Sequence, residues 1–216
     1  TENLRFNSAG SFLNPANPDP KYGRLYTWAG VAAAMPAGWH LPTDAEWKTL
    51  EATLGMTSTD LDSSGYTTAR GVAQGVGTQL QVGGTSGMDF LPAGYHDGAS
   101  FQSLADRTYL WVNTLVGANV YRRRLVTNPA NGDPASVYRF TNPVGTYAIS
   151  VRLIKDPINT ILTSATTIDN GKWNFVVAEL EPTGNAMGIK RLYINGVPDN
   201  SAPYTGGVYG STANFL

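Results

Sequence analysis

The residues best suited to chemistry lie between Tyr95 and Arg139, where aromatic rings and guanidinium groups are interleaved. Tyr95, Phe101, Tyr109, Trp111, Tyr121 and Tyr138 alternate with Arg107, Arg122, Arg123, Arg124 and Arg139. Tyr, Trp and Arg dominate the energetic centres of interfaces. Flat rings and planar guanidinium groups also suit sugar rings and carboxylated sugars. We expect a ligand-binding surface built from Tyr95, His96, Asp97, Tyr109, Asn113, Asn119, Tyr121, Arg122, Arg123, Tyr138 and Arg139. Trp111 and Tyr147 are assigned to the core instead. On a strand, Arg122 and Arg124 share one face and Arg123 the other, so at least one of them leans on the core or forms an ion pair.

Asp60-Leu61-Asp62-Ser63-Ser64-Gly65 spaces its oxygens like the first half of an EF-hand loop. The bidentate acid that would complete such a loop is replaced by Gly71. Two readings stay open: a weak calcium site on Asp60, Asp62 and Ser64, or a polar turn held by Asx-type backbone bonds. No other cofactor is expected. His40, inside Gly38-Trp39-His40-Leu41-Pro42, reads as a structural residue near a turn. His96 is expected in an exposed loop. Neither histidine lies in a nucleophile elbow. The paired acids Glu179 and Glu181, like Asp60 and Asp62, belong to no catalytic motif, so the protein reads as a non-enzyme.

The composition narrows the partners. A net charge of -1 gives no electrostatic reason to expect nucleic acid or an anionic membrane. No apolar run is long enough to insert into a bilayer. There is no Cys, which removes thiol chemistry and Cys-ligated metal sites. Few charges at 14% beside 24 Gly and 13 Pro point to many turns over a long chain of 216 residues, not to a helical bundle. The chain lacks an initiator Met, so a processed product or a piece of a longer polypeptide is expected.

These side chains need elements to hold them. Thr43-Asp44-Ala45-Glu46 forms a capping box that starts a helix running to about Leu54, with Gly55 as the stop. Trp47, Leu50 and Leu54 share its apolar face. A smaller helix precedes it, ending near Ala32 to Ala34. Glu2 to Phe6 is a short strand candidate, and 55–89 reads as long loops with a weak strand signal near Gln79 to Val82. Strands are expected at Phe90–Ala93, Tyr109–Thr114, Val120–Val126, Val137–Thr141 and Tyr147–Leu153. Asp156-Pro157 marks a domain edge, giving domains 1–156 and 157–216. Beyond it, Lys172–Leu180 and Ile189–Val197 form an antiparallel hairpin around a loop at Glu181 to Asn185, with Asn195-Gly196 as a tight turn and weak strand content after Ser201. The fold class is α+β.

The first 156 residues resemble the Fibrobacter succinogenes major paralogous domain. The matching landmarks are Glu2-Asn3-Leu4-Arg5, Tyr22-Gly23-Arg24-Leu25-Tyr26-Thr27-Trp28, Gly38-Trp39-His40-Leu41-Pro42 and Asp44-Ala45-Glu46-Trp47, followed by Ala93-Gly94-Tyr95, Tyr121-Arg122-Arg123 and Ser150-Val151-Arg152. The resemblance implies a C-type lectin-like domain of the formylglycine-generating-enzyme type: two helices, a small twisted antiparallel sheet and long loops. It also implies a surface-exposed, secreted or virion location, as in the tips of phage tail fibres, and brings no catalytic residues. Where family members often carry two cysteines, this chain has Met35 and Leu153, which are expected to lie close together in the core. Residues 160–216 resemble part of a laminin-G or concanavalin-like domain, a jelly-roll hairpin whose remainder is absent or supplied by another chain. The function so implied is adhesion: a receptor-binding module for a cell-surface glycan or protein. The alternative is a structural or decoration component of a virion or cell envelope, as a homo-oligomer or within a larger assembly.

Overall fold

The computed structural model describes residues 2–17, 19–127, 134–145, 147–156, 165, 173–184 and 187–205. They divide into two units, Thr1–Ile154 and Lys155–Leu216. The first unit runs β1 (Ser11–Phe12), a short 3-10 turn (Pro20–Tyr22), β2 (Leu25–Thr27), α1 (Trp28–Ala34), β3 (Trp39–His40), α2 (Asp44–Thr53), α3 (Ser58–Asp62) and α4 (Val76–Leu80). It continues through β4 (Tyr95–His96), β5 (Phe101–Gln102), β6 (Arg107–Val116), β7 (Asn119–Val126), β8 (Val137–Pro143) and β9 (Ala148–Ile149), with β10 (Ile154–Lys155) at the boundary. This is a β-rich α+β fold. No described helix is long and apolar enough to cross a membrane.

Helix α2 forms where the local chemistry demands it. The Thr43 hydroxyl accepts from the Glu46 amide at 3.2 Å, and the Glu46 carboxylate accepts from the Thr43 amide at 2.8 Å. Both halves of the capping box are made. Gly55 follows at φ 93, a conformation open to glycine, and ends the helix.

The antiparallel sheet β6-β7-β8 is the centre of the unit. Its register places Trp111, Arg122 and Phe140 in one row and Tyr109, Arg124 and Tyr138 in the next, on the same face. Leu110, Arg123 and Arg139 form a row on the opposite face. Both faces are covered. Tyr109, Trp111, Val120 and Phe140 pack with Tyr26, Val31, Leu41 and Ile149. Leu110, Val112, Leu125 and Val137 pack with Trp47, Met56, Val76, Leu80 and Phe90. A second sheet, ordered β1-β2-β9-β4-β5, carries short pairings around β9.

Several expectations need correction. Residues 55–89 contain α3 and α4, each only five residues long and too short to show a helical period in so Gly-rich a stretch. Gln81 and Phe90 meet in a single bridge, so neither Gln79–Val82 nor Phe90–Ala93 is a strand. Of Tyr147–Leu153 only Ala148–Ile149 is strand. Glu2–Phe6 forms no regular strand, although the Leu4 amide donates to the Val151 carbonyl. Met35 and Leu153 are half-buried and pack against the same core cluster.

The second unit is an antiparallel sheet ordered β11 (Val176–Gly184), β12 (Met187–Ile194) and β13 (Val197–Thr205). It has one strand more than the expected hairpin, and β11 runs on through the segment expected to be loop. Asn195 and Gly196, at φ 53 and 80, make the tight turn that Asn-Gly favours. Lys172, Asn185 and the tail after Thr205 lie outside the described residues.

Candidate functional site

The arginines expected on a surface are inside. Arg122, Arg123, Arg124 and Arg139 are all buried, as are Tyr109 and Tyr138. The cause is the two-sided cover on the central sheet, which leaves every side chain from Arg122 to Val126 without a solvent face.

The two faces solve the buried-charge problem differently. On one, Arg123 donates from Nε to Glu51 at 2.7 Å and from Nη1 to Asp44 at 2.8 Å. Arg139 binds both oxygens of Asp44, at 2.8 and 2.7 Å, and Arg70 pairs with Glu51. Burial pushes the Asp44 carboxyl up, but the Arg139 hydrogen bonds and the Arg123 charge overcome it and hold it at about 2. On the other face, among the described residues, no carboxylate pairs with Arg122 or Arg124. The Arg122 guanidinium lies 4.4 Å from the Trp111 ring centre and 4.9 Å from that of Tyr147. Arg124 lies 3.8 Å from Tyr138 and 4.6 Å from Tyr66. Aromatic faces stand in for counter-charges there, and burial pulls Arg122 down to about 10. These are structural devices, not a recognition surface.

The remaining predicted residues scatter. His96 is not in an exposed loop. It is buried on β4, stacked on Phe12 with ring centres 4.3 Å apart and edge-on to Phe101 at 4.8 Å. Asp97 binds the amides of Ala99 and Ser100, both at 2.8 Å, and so builds the β4–β5 turn. Those backbone bonds, led by Ser100, hold its carboxyl at about 2. Tyr95 packs edge-on against Tyr109. Tyr121 is half-buried under the Arg139 guanidinium at 4.2 Å. Asn113 is exposed, and Asn119 is half-buried at the start of β7.

Asp60, Asp62 and Ser64 are also turned to structure. The Asp60 carboxylate accepts from the Gly71 amide at 3.0 Å, and Asp62 pairs with Lys48 at 2.7 Å. The Ser64 hydroxyl donates to the Arg139 carbonyl at 3.1 Å. Each of the three side chains has a partner of its own. Among the described residues no three His, Asp or Glu gather to hold a metal.

What the fold does present is a groove of about 610 Å³ beside α2. Its apolar lining is Leu4, Pro36, Trp39, Pro42, Leu50, Met88, Phe90, Leu153 and Ile154. Trp47 lies in its lining, packed on Phe90 with ring centres 5.7 Å apart. The polar groups are Glu2, Asn3, Arg5, Glu46 and Arg152. Trp39 remains 39% exposed, so a large ring face is offered to solvent. Size and lining match those of small-ligand sites, mostly apolar with a few fixed polar groups. The acids are engaged: Glu46 binds His40 at 2.9 Å besides its cap bonds, and Glu2 pairs with Arg5 at 2.8 Å.

The sequence carried these residues without revealing that they meet. Trp39 and Trp47 flank the capping box, while Asn3 and Arg152 sit at opposite ends of the unit. The Arg152 Nε bonds Asn3 Oδ1 at 2.9 Å across nearly the whole chain of the first unit. A bulky aromatic placed beside a helix cap, with no partner in its own segment, was the one available signal.

Residues 3–155 match the model of the Fibrobacter succinogenes major domain. The chain belongs to that family. No curated protein and no solved structure matches it.

Proposed function

We propose that this protein is a non-enzymatic recognition module that captures a glycan or protein receptor at a cell surface, through the groove beside α2. The observation that carries this reading is the groove itself: an apolar trough with an indole face open to solvent and its carboxylates engaged in ion pairs and cap bonds. Such a wall suits the flat face of a sugar or an aromatic side chain. The scaffold is of C-type lectin-like type in this reading, and the location is extracellular, on a cell surface or on a virion. The test is a glycan array and a cell-surface pull-down with the full chain and with Trp39→Ala. Capture that fails only in the variant supports the reading. Capture unaffected by the variant moves the site elsewhere, and no capture at all overturns the function.

One observation favours a second reading, a structural or decoration component of a larger assembly. In the second unit Trp173, Phe175, Val176 and Val197 are strongly exposed on or beside a small open sheet. Exposed apolar side chains and open strand edges invite a partner. A monomer at all concentrations in sedimentation experiments would remove this reading.

A further inference from the structure

The lining of the groove holds a buried cation, Arg152. Arg152 is 7% exposed and bonds only neutral oxygens: Nε to Asn3 Oδ1 at 2.9 Å, Nη1 to the Met88 carbonyl at 2.6 Å, Nη2 to the Asp89 carbonyl at 2.9 Å. Its guanidinium also lies 4.4 Å from the centre of the Phe90 ring. Among the described residues no carboxylate pairs with it; Asp89 and Glu2 act only through space. Burial pulls its pKa down to about 10. The acceptors of the groove, by contrast, are spoken for, since Glu46 serves His40 and Thr43, and Glu2 serves Arg5.

Resting on the recognition reading above, we propose that the groove takes a carboxylate-bearing sugar of the hexuronate class. The ring lies along the Trp39 wall, and the carboxylate supplies the charge that Arg152 lacks. A peptide fits poorly in a trough whose carboxylates are already engaged. Each of its residues brings an obligatory amide donor, whereas a hydroxyl rotates to accept.

The experiment is titration calorimetry on the full chain with tri-galacturonate, with a glucuronate tetrasaccharide, and with the methyl ester of each. The expected result is binding of at least one acid and a loss of about tenfold or more on esterification, as for a hydrogen bond to a charged group. The ester comparison needs no variant, so a folding defect cannot mimic the result. Equal affinity for acid and ester overturns the inference, as does capture of acidic peptides in place of the sugars. If neutral glycans bind in the groove and the acids do not, this inference falls while the recognition module stands. If nothing binds on array or in solution, both fall.

Discussion

Arg139 holds Asp44 through both carboxylate oxygens, and Asp44 passes the same grip on to Arg123 at 2.8 Å. Through Glu51 the network reaches Arg70, which is wholly buried. Three guanidinium groups therefore share two carboxylates inside the protein. Each carboxylate sits on α2, so the capped helix is also the clamp that allows a charged strand to be central.

Removing one carboxylate should leave that clamp badly unbalanced. Asp44→Asn strips a buried anion from two buried cations, and a broken buried pair costs about 3–5 kcal/mol. Urea denaturation should show a loss in that range. A loss under about 1 kcal/mol would show that Arg139 and Arg123 find replacement acceptors.

The same carboxylate sets an acid limit. Its folded pKa of about 2 lies below the ordinary 3.8, so the stability it confers is complete above that ordinary value. That stability is lost as pH falls from about 4 towards 2, on the order of 2 kcal/mol in all. Denaturation midpoints measured across this window should fall with pH in the wild type and fall less steeply in Asp44→Asn. Parallel slopes would place the acid sensitivity elsewhere.

How much of this was legible depends on distance along the chain. The start of α2 is written in four consecutive residues, Thr43 to Glu46, and needs no tertiary partner. The strands β6, β7 and β8 are each a run of β-favouring residues bounded by turns. The burial of Arg123 is not local, because its acceptors stand on a helix 72 and 79 residues away. Without those partners in view, Arg-rich strands and tyrosines read as an interface. His96 misled in the same way, since its covering ring, Phe12, comes from β1. The groove assembles from the N-terminal arm, α2, the segment at Met88 to Phe90 and the end of the unit. No window of sequence contains more than a fragment of it.

The capping box gives a smaller and more local prediction. Thr43→Ala removes the acceptor for the Glu46 amide and frees Glu46 from the hydroxyl at 2.8 Å. The expected loss is about 1 kcal/mol. Glu46 also binds His40, so amide exchange in the first turn of α2 and at His40 should rise together. Faster exchange confined to α2 would show that His40 is held independently.

Gly94 tests the geometry before β4. It sits at φ 68, and a Cβ there would collide with the Gln102 carbonyl on β5. Gly94→Ala should cost more than the roughly 1–2 kcal/mol of left-handed backbone alone. A melting temperature within error of wild type would mean that the β4–β5 pair shifts freely.

The sharpest prediction sets two adjacent arginines against each other. Arg123 is held by Asp44 and Glu51, so Arg123→Met leaves two buried carboxylates short of a partner and should cost about 3–5 kcal/mol. Among the described residues Arg124 has no carboxylate partner and its Nε–H no acceptor; it is retained by the faces of Tyr138 and Tyr66. Cation–π contact with desolvated rings is worth about 2 kcal/mol, while burying the cation costs several. An apolar side chain of similar length keeps the packing and avoids the desolvation, so Arg124→Met should be neutral or stabilising. Guanidinium titrations of the two variants should move the midpoint in one step down for Arg123→Met and not at all, or upward, for Arg124→Met. Equal losses would mean that the aromatic rings hold a buried charge as firmly as carboxylates do.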